Sequence, residues 1–260
     1  MVRDDYPRYV TPESKPFDPV DLIHRTEKLV CRGDQRKYTE FYATGVYGGI
    51  ATGYTVGCCL RCIFCWVDPS RDFPEQFGRF YSPEEAFSQI SEAAHNFGVN
   101  KLRISGAEPT LGKEHLLGLL DLIEASQFEL FILETNGIYF GLDKDYAKAV
   151  AKFTKPHIRV GLKAGTPEGF QERTGADKKF FELPFIGIEN LLDAGATFHV
   201  ASMSADPRFM DQVERKSLIH KLYDLEPGLA RHLEEEVVDP YKTTLERLRF
   251  AGKMVKFKGI

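Results

Sequence analysis

Four of the five cysteines in this 260-residue chain fall within eight consecutive positions, Cys58-Cys59-Leu60-Arg61-Cys62-Ile63-Phe64-Cys65. Cys58, Cys62 and Cys65 are separated by three and then two residues, in a segment that follows an apolar, strand-like run and lies between Gly57 and Pro69. Thiolates are soft ligands that select iron–sulfur clusters or zinc, and a compact loop aims three of them at one object without help from distant sequence. A four-iron cubane held by three cysteines keeps one iron open, and open metal positions are where chemistry occurs. Cys59, adjacent to Cys58, points away from its neighbour and reads as a small buried hydrophobe. Two other readings stay open. One is a zinc knuckle, although the spare ligands His95 and Cys31 are not at knuckle spacing. The other is a redox dithiol at Cys62 and Cys65, which leaves Cys58 unexplained.

The Cys58, Cys62, Cys65 spacing, with Phe64 just before the last cysteine, resembles the signature of the radical S-adenosylmethionine (radical SAM) superfamily. A second element strengthens the resemblance: Ser105-Gly106-Ala107-Glu108-Pro109 is similar to that family's Gly-Gly-Glu-Pro motif, with Ala107 in place of one glycine. More loosely, the likeness runs from about residue 50 to about residue 204. It implies a [4Fe-4S] cluster on the three cysteines and SAM chelated through its amino and carboxylate groups to the open iron. One electron from an external donor of ferredoxin or flavodoxin type then yields a 5′-deoxyadenosyl radical that abstracts hydrogen from substrate.

The same resemblance nominates the residues around SAM. Gly106 to Pro109 and the Glu108 carboxylate would receive its ammonium group; read without the family, Glu108 is a capping acid before Leu111-Gly112-Lys113. Asn136, in Glu134-Thr135-Asn136-Gly137, sits in a segment frequent in the family, and Asn-Gly is equally a good turn. Lys163 matches the lysine of the Asp-Leu-Lys segment of glycyl-radical activating enzymes, but Gly161 stands where their aspartate is expected; alternatively Lys163 is an ordinary solvated residue. Ser202, with Met203 and Ser204, offers a small polar rim for ribose hydroxyls, Met203 itself reading as packing. Trp66 beside the last cysteine would shield the cluster. Glu189 and His199 carry no assignment, a lone histidine in an apolar strand being most simply a satisfied core residue.

Composition narrows the substrate. A net charge of −4 and a pI of about 6.0 show no basic excess, which disfavours nucleic acid. Nothing reaches about 18 consecutive apolar residues and the N-terminus has no apolar signal core, so the expectation is a cytoplasmic protein with no membrane partner. With Cys31 as the one cysteine outside the loop, an auxiliary cluster is disfavoured. The expected reaction is hydrogen abstraction from a small molecule or peptide. The alternatives are an activase acting on a partner protein and, in another class, a non-catalytic electron carrier or zinc-stabilised binding module. Charge runs such as Glu234-Glu235-Glu236 and Asp177-Lys178-Lys179 read as solvent faces.

The elements that must position these residues follow from periodicity. Residues 1–48 read as an N-terminal extension, comprising a proline-rich arm to about 17, a helix from Asp18 to about Cys31 and a first strand. Residues 38–56 hold one or two strands turning near Gly48-Gly49, the second delivering Cys58. Ser82-Pro83-Glu84-Glu85 is a capped helix start, and Gly98 ends that helix. Short β-branched runs at 100–105, 128–135, 157–163 and 197–203 alternate with helical stretches near 113–125, 143–152, 181–194 and 207–223. A weak strand near 231–238 and a helix from Thr243 to about Ala251 close the chain. Alternation of this kind requires parallel strands with right-handed crossovers. The fold class is α/β, and six strands give a partial (β/α)6 TIM-like barrel over residues 49–260.

Overall fold

The computed structural model describes residues 5–257. Helix α1 (Pro19–Val30) starts where the Asp18 carboxylate accepts hydrogen bonds from the Val20 and Asp21 amides, leaving fewer orphan donors at the helix end. The chain continues through β1 (Cys31–Arg32), β2 (Gln35–Thr44) and β3 (Ile50–Thr55), the last two joined by the glycine-rich turn at Val46–Gly48. After the cysteine loop come β4 (Arg79–Tyr81) and α2 (Pro83–Phe97). Ser82 and Glu85 form the expected capping box, and Ala86, Ile90 and Ala94, four residues apart, make the buried stripe of α2.

Strand and helix then alternate: β5 (Lys101–Gly106), α3 (Lys113–Glu124), β6 (Leu130–Thr135), α4 (Ile138–Leu142), α5 (Lys144–Val150) and β7 (Pro156–Leu162). They are followed by α6 (Pro167–Thr174), α7 (Leu183–Asp193), β8 (Phe198–Ser202), α8 (Gln212–Leu225), α9 (Pro227–Arg231), β9 (Glu234–Glu235) and α10 (Lys242–Phe250). The expected strands and helices are all present within a few residues. The short elements β4, α4, α6 and α9 were not expected, because three to eight residues show too little periodicity to stand out.

One nine-stranded sheet runs in the order β1-β2-β3-β5-β6-β7-β8-β9, with β4 on β2. Strand β2 is antiparallel to its neighbours, whereas β3, β5, β6, β7, β8 and β9 are parallel. The six parallel strands form the partial TIM-like barrel. It is open: among the described residues no ladder joins β9 back to β3. Alternation along the strands separates two environments. Leu102 and Ile104, Phe131 and Leu133, and Ile158 and Val160 belong to the hydrophobic core, while Arg103, Ser105, Glu134, Arg159 and Gly161 line the barrel's cavity. The parallel strands point their C-terminal ends, with β3's cysteine loop, at the mouth of that cavity, the end where barrel folds carry their reactive groups. Among the described residues no helix is long and apolar enough to cross a membrane.

Candidate active site

The cysteine loop leaves β3 at Val56 and is buried along its length. Cys58 and Cys62 are 8% and 7% exposed, Cys65 is half-buried, and all three line a cavity of about 910 Å³. Cys59 does not line it. Its side chain is 1% exposed and accepts a hydrogen bond from Asn136 Nδ2 at 3.3 Å, as a small buried group would. All five cysteines are free thiols. Among the described residues no three His, Cys, Asp or Glu side chains converge on a point suited to a single metal ion. A cubane does not ask for that convergence, since its cysteines bind separate irons.

Three buried arginines strap the loop, and the sequence reading missed all of them. Arg61 Nη1 donates to the Cys58 and Leu60 carbonyls at 2.8 Å each, and its Nε to Pro7 O at 2.6 Å. Arg71 Nη1 donates to Cys62 O at 2.7 Å while its Nε and Nη2 hold Asp72 Oδ1. Arg247, from the distant helix α10, donates to Cys65 O at 2.7 Å, to Val67 O, to Asp68 O and to Asp72 Oδ2. Carbonyls that would otherwise be buried without partners are thereby satisfied, and cationic charge accumulates behind the thiols. Burial, against the pull of Lys163 and with help from the neighbouring Cys65 and Cys58, pushes the Cys62 thiol up to about 12. Burial lowers the Arg71 pKa, but Cys65 and Asp72 more than reverse this and hold it raised. A buried thiolate with no cation bound to it is costly, and a metal relieves that cost because ligation deprotonates the sulfur.

The segment after β5 closes over the cavity. Gly106 has φ of +94°, and a Cβ there would stand 2.9 Å from Thr55 N, so only glycine allows the strand ends to touch. The Ala107 and Glu108 amides donate to Thr55 O and Gly57 O, which pins the segment to the start of the cysteine loop. Glu108 is 1% exposed. Its Oε1 accepts from Thr110 N, Thr110 Oγ1 and Thr135 Oγ1, and its Oε2 accepts from Asn136 N at 2.9 Å. Each carboxylate oxygen has about two acceptor positions, so Oε1, with three donors, is more than filled, while Oε2, with one, keeps a position.

Of the other residues singled out in the sequence, Phe64, Gly106, Ala107, Asn136, Lys163 and Ser202 all line the cavity, and buried Pro109 does not. Asn136 also serves the turn: its Oδ1 accepts from Ile138 N at 3.0 Å at the start of α4. Lys163 Nζ lies 2.9 Å from where a Cβ on Gly161 would be, so the missing side chain at that position is what gives the ammonium its place. Ser202 Oγ is buried and has no hydrogen-bond partner among the described residues. Trp66 is 42% exposed and lines the cavity beside Cys65, with Tyr54 and Tyr241 as ring neighbours. Glu234 and Glu236 line the cavity while remaining 40% and 32% exposed, and Glu235 between them bonds to Ser204 and Arg215. His199 has partners on both ring nitrogens, His157 at 2.6 Å and Glu234 at 2.8 Å.

The sequence model of the Radical SAM superfamily matches residues 53–205, more than half of the chain. A probable GTP 3′,8-cyclase of Methanococcus vannielii is 27% identical over a 209-residue alignment that covers 74% of this chain and 67% of that protein. A probable GTP 3′,8-cyclase of Methanococcus maripaludis is 28% identical over 199 residues, 70% of this chain and 63% of that one. A further relative of the same name in Saccharolobus islandicus is matched over 41% of its length, so the chain spans two thirds or less of these curated relatives. Among solved structures, TYW1 with a lysine-pyruvate adduct bound aligns at a TM-score of 0.48 and 16% identity, over 80% of this chain and 76% of that one. Streptococcus suis SuiB bound to S-adenosylmethionine aligns at 0.45 and 17% identity, over 56% of this chain and 32% of that one.

Proposed function

The chain belongs to the Radical SAM superfamily, and from that premise we propose that it abstracts hydrogen from a small-molecule or peptide substrate held in the barrel cavity. It is a radical SAM enzyme, and the family works with a [4Fe-4S] cluster and SAM. When bound, that pair supplies the chemistry: one electron enters from outside and SAM divides into methionine and a 5′-deoxyadenosyl radical.

The chain's own residues fit this pair. Cys58, Cys62 and Cys65 are the three cluster ligands in this reading, and the observation that carries it is that these three line the cavity while Cys59 turns away. The free acceptor position on Glu108 Oε2 suits an ammonium group, with Gly106 and Ala107 presenting backbone beside it. Lys163 suits a carboxylate, since its Nζ makes no ion pair among the described residues and lies close enough to lower the Cys62 pKa. The orphan hydroxyl of Ser202 suits a ribose. Phe64 and Asn136 complete the wall, and Pro109 shapes the turn behind Glu108. Cys65 is the least buried of the three ligands, and its edge of the loop, with exposed Trp66, is where a ferredoxin- or flavodoxin-type donor would deliver its electron.

The test is anaerobic reconstitution with iron and sulfide, followed by SAM and dithionite. Formation of 5′-deoxyadenosine by the wild type and not by Cys62→Ala is the expected result. A reconstituted protein with full iron content that leaves SAM intact contradicts the proposal. The curated relatives' name makes GTP the first nucleotide to set against other substrates in the same assay.

A further inference from the structure

Exposed apolar side chains are concentrated at one place on this molecule. Thirteen large hydrophobic residues are exposed among the described residues, and six of them, Tyr42, Val46, Tyr47, Trp66, Val237 and Tyr241, line the barrel cavity. Apolar surface gathered around one cavity marks a place where a ligand or partner completes the packing. Four of the six are aromatic, and Tyr54, 8% exposed, packs behind them. The Tyr42 and Tyr54 rings stack with centroids 4.6 Å apart at 20°. Tyr54 then meets Trp66 at 6.1 Å and 89°, and Trp66 meets Tyr241 at 6.4 Å and 48°.

These angles leave Trp66 as an open platform. Both of its ring neighbours approach steeply, so no described ring lies parallel to either face of the indole. Its backbone is nevertheless fixed, because Thr243 Oγ1 on α10 donates to Trp66 O at 2.7 Å. Trp66 follows Cys65 directly in the chain, so a group stacked on it lies beside the cluster loop. A polar anchor stands on the same wall. Thr44, two residues from Tyr42 and on the same face of β2, lines the cavity, and its buried Oγ1 has no hydrogen-bond partner among the described residues. A cavity of about 910 Å³ is at the upper end of the 300–1,000 Å³ typical of ligand sites, with room for a second ligand beside SAM.

The cations of the cavity limit what the ring can carry. Arg71 Nε and Nη2 hold Asp72 and its Nη1 holds Cys62 O. Arg103 Nη1 donates to Glu134 Oε1 at 3.1 Å and its Nε to Thr52 Oγ1 at 3.0 Å. Arg159 Nε donates to Glu234 at 2.8 Å, and its Nη2 lies 2.7 Å from Glu236. Lys163 is taken by the SAM carboxylate in the reading above. Every arginine lining the cavity is thus bonded to a carboxylate of the protein, and a phosphate chain would have to displace one.

Resting on the radical SAM reading, we propose that Trp66, backed by Tyr54, Tyr42 and Tyr241, is the stacking wall for a planar aromatic or heteroaromatic ring of the substrate, and that this substrate carries no phosphate chain. The π-face of the indole receives the ring, and the Thr44 hydroxyl receives a polar group on its edge.

The test is isothermal titration of cluster-loaded, SAM-saturated protein with guanosine, adenosine, L-tryptophan amide and L-tyrosine amide, with GTP as comparator. At least one unphosphorylated ring compound is expected to bind, and which one binds tells a nucleobase from an aromatic amino acid. Its affinity should fall about tenfold in Trp66→Leu, as loss of one stacking platform does, and should stay within about threefold of the wild type in Trp66→Phe. Phe97→Ala, which removes an exposed aromatic away from the cavity, should bind like the wild type. The proposal is overturned if none of the four compounds binds, if Leu and Phe at position 66 bind alike, or if GTP binds more than tenfold tighter than guanosine. A fall in SAM affinity in Trp66→Leu with ring affinity unchanged also overturns it, because the indole then serves the adenine of SAM. SAM cleavage by the wild type, followed separately as 5′-deoxyadenosine, decides the underlying radical reading whichever way the titrations fall.

Discussion

Replacing Arg247 by methionine removes the charge that ties α10 to the cysteine loop while keeping most of the side chain's apolar stem. Arg247 is 4% exposed and contacts the carbonyls of Cys65, Val67 and Asp68 as well as Asp72 Oδ2. Breaking a buried ion pair by deleting one partner costs about 3–5 kcal/mol when the remaining charge is left uncompensated. Here Asp72 keeps Arg71, whose Nε and Nη2 lie 2.8 and 2.5 Å from Oδ1, which moves the electrostatic cost to the low end of that range. Three carbonyls lose a donor as well, at about 1–3 kcal/mol for each one that water does not reach. With about 3 kcal/mol for the ion pair and one of the three carbonyls left dry, the total is about 4–6 kcal/mol, or a fall in Tm of about 8–24 °C for a chain of this size. Thermal unfolding of the metal-free protein, followed by circular dichroism under anaerobic conditions, measures this without any contribution from bound iron. Iron bound per chain after reconstitution should fall in parallel, because the loop that presents Cys65 is no longer held. A Tm within about 3 °C of the wild type would refute the claim that α10 anchors the loop.

Cys59→Ala should retain the full iron content of the wild type while Cys62→Ala loses the cluster, as measured by iron and sulfide analysis; equal losses would make Cys59 a ligand. Gly106→Ala forces a Cβ to within 2.9 Å of Thr55 N at a φ of +94°, and the expected outcome is a protein with weakened SAM binding by equilibrium dialysis and a loss of about 1–3 kcal/mol in stability. Unchanged SAM affinity would show that this backbone approach is not part of the site. Burial drives the His115 imidazole down to about 4 in the folded protein, where Tyr38 and the Asp34 carbonyl are its partners. The unfolded chain takes up this proton near pH 6.5, so the stability is complete above that pH and is lost as pH falls toward 4, amounting to about 2 kcal/mol by pH 5. Urea unfolding of the metal-free protein at pH 7 and pH 5 should show this loss, and His115→Gln should lack that part of it.

The parallel strands, the cysteine loop and the glycine-containing segment after β5 were legible because each is local: a β-branched run, a ligand spacing, a motif of five residues. The arginine straps were not. Arg61, Arg71 and Arg247 are scattered over nearly 190 positions and meet only in three dimensions, so no spacing announces them. Glu234 and Glu236 misled for a different reason. Three consecutive acids look like a solvated face unless the segment is known to be a strand, and a two-residue strand gives almost no periodic signal. Once β9 pairs with β8, Glu234 and the Glu236 that follows the strand come to line the cavity. Trp66 shows the converse case, an apolar residue beside the cysteines that remains exposed because it belongs to an aromatic rim and not to the loop's buried interior.

A cluster held by Cys58, Cys62 and Cys65 with one iron left for SAM has a signature in the electron paramagnetic resonance of the dithionite-reduced protein. The spectrum of the reduced cluster is predicted to change when SAM is added, and to change in Cys59→Ala as it does in the wild type. An unaltered spectrum with an intact cluster, or tetrahedral zinc in place of iron, would contradict it.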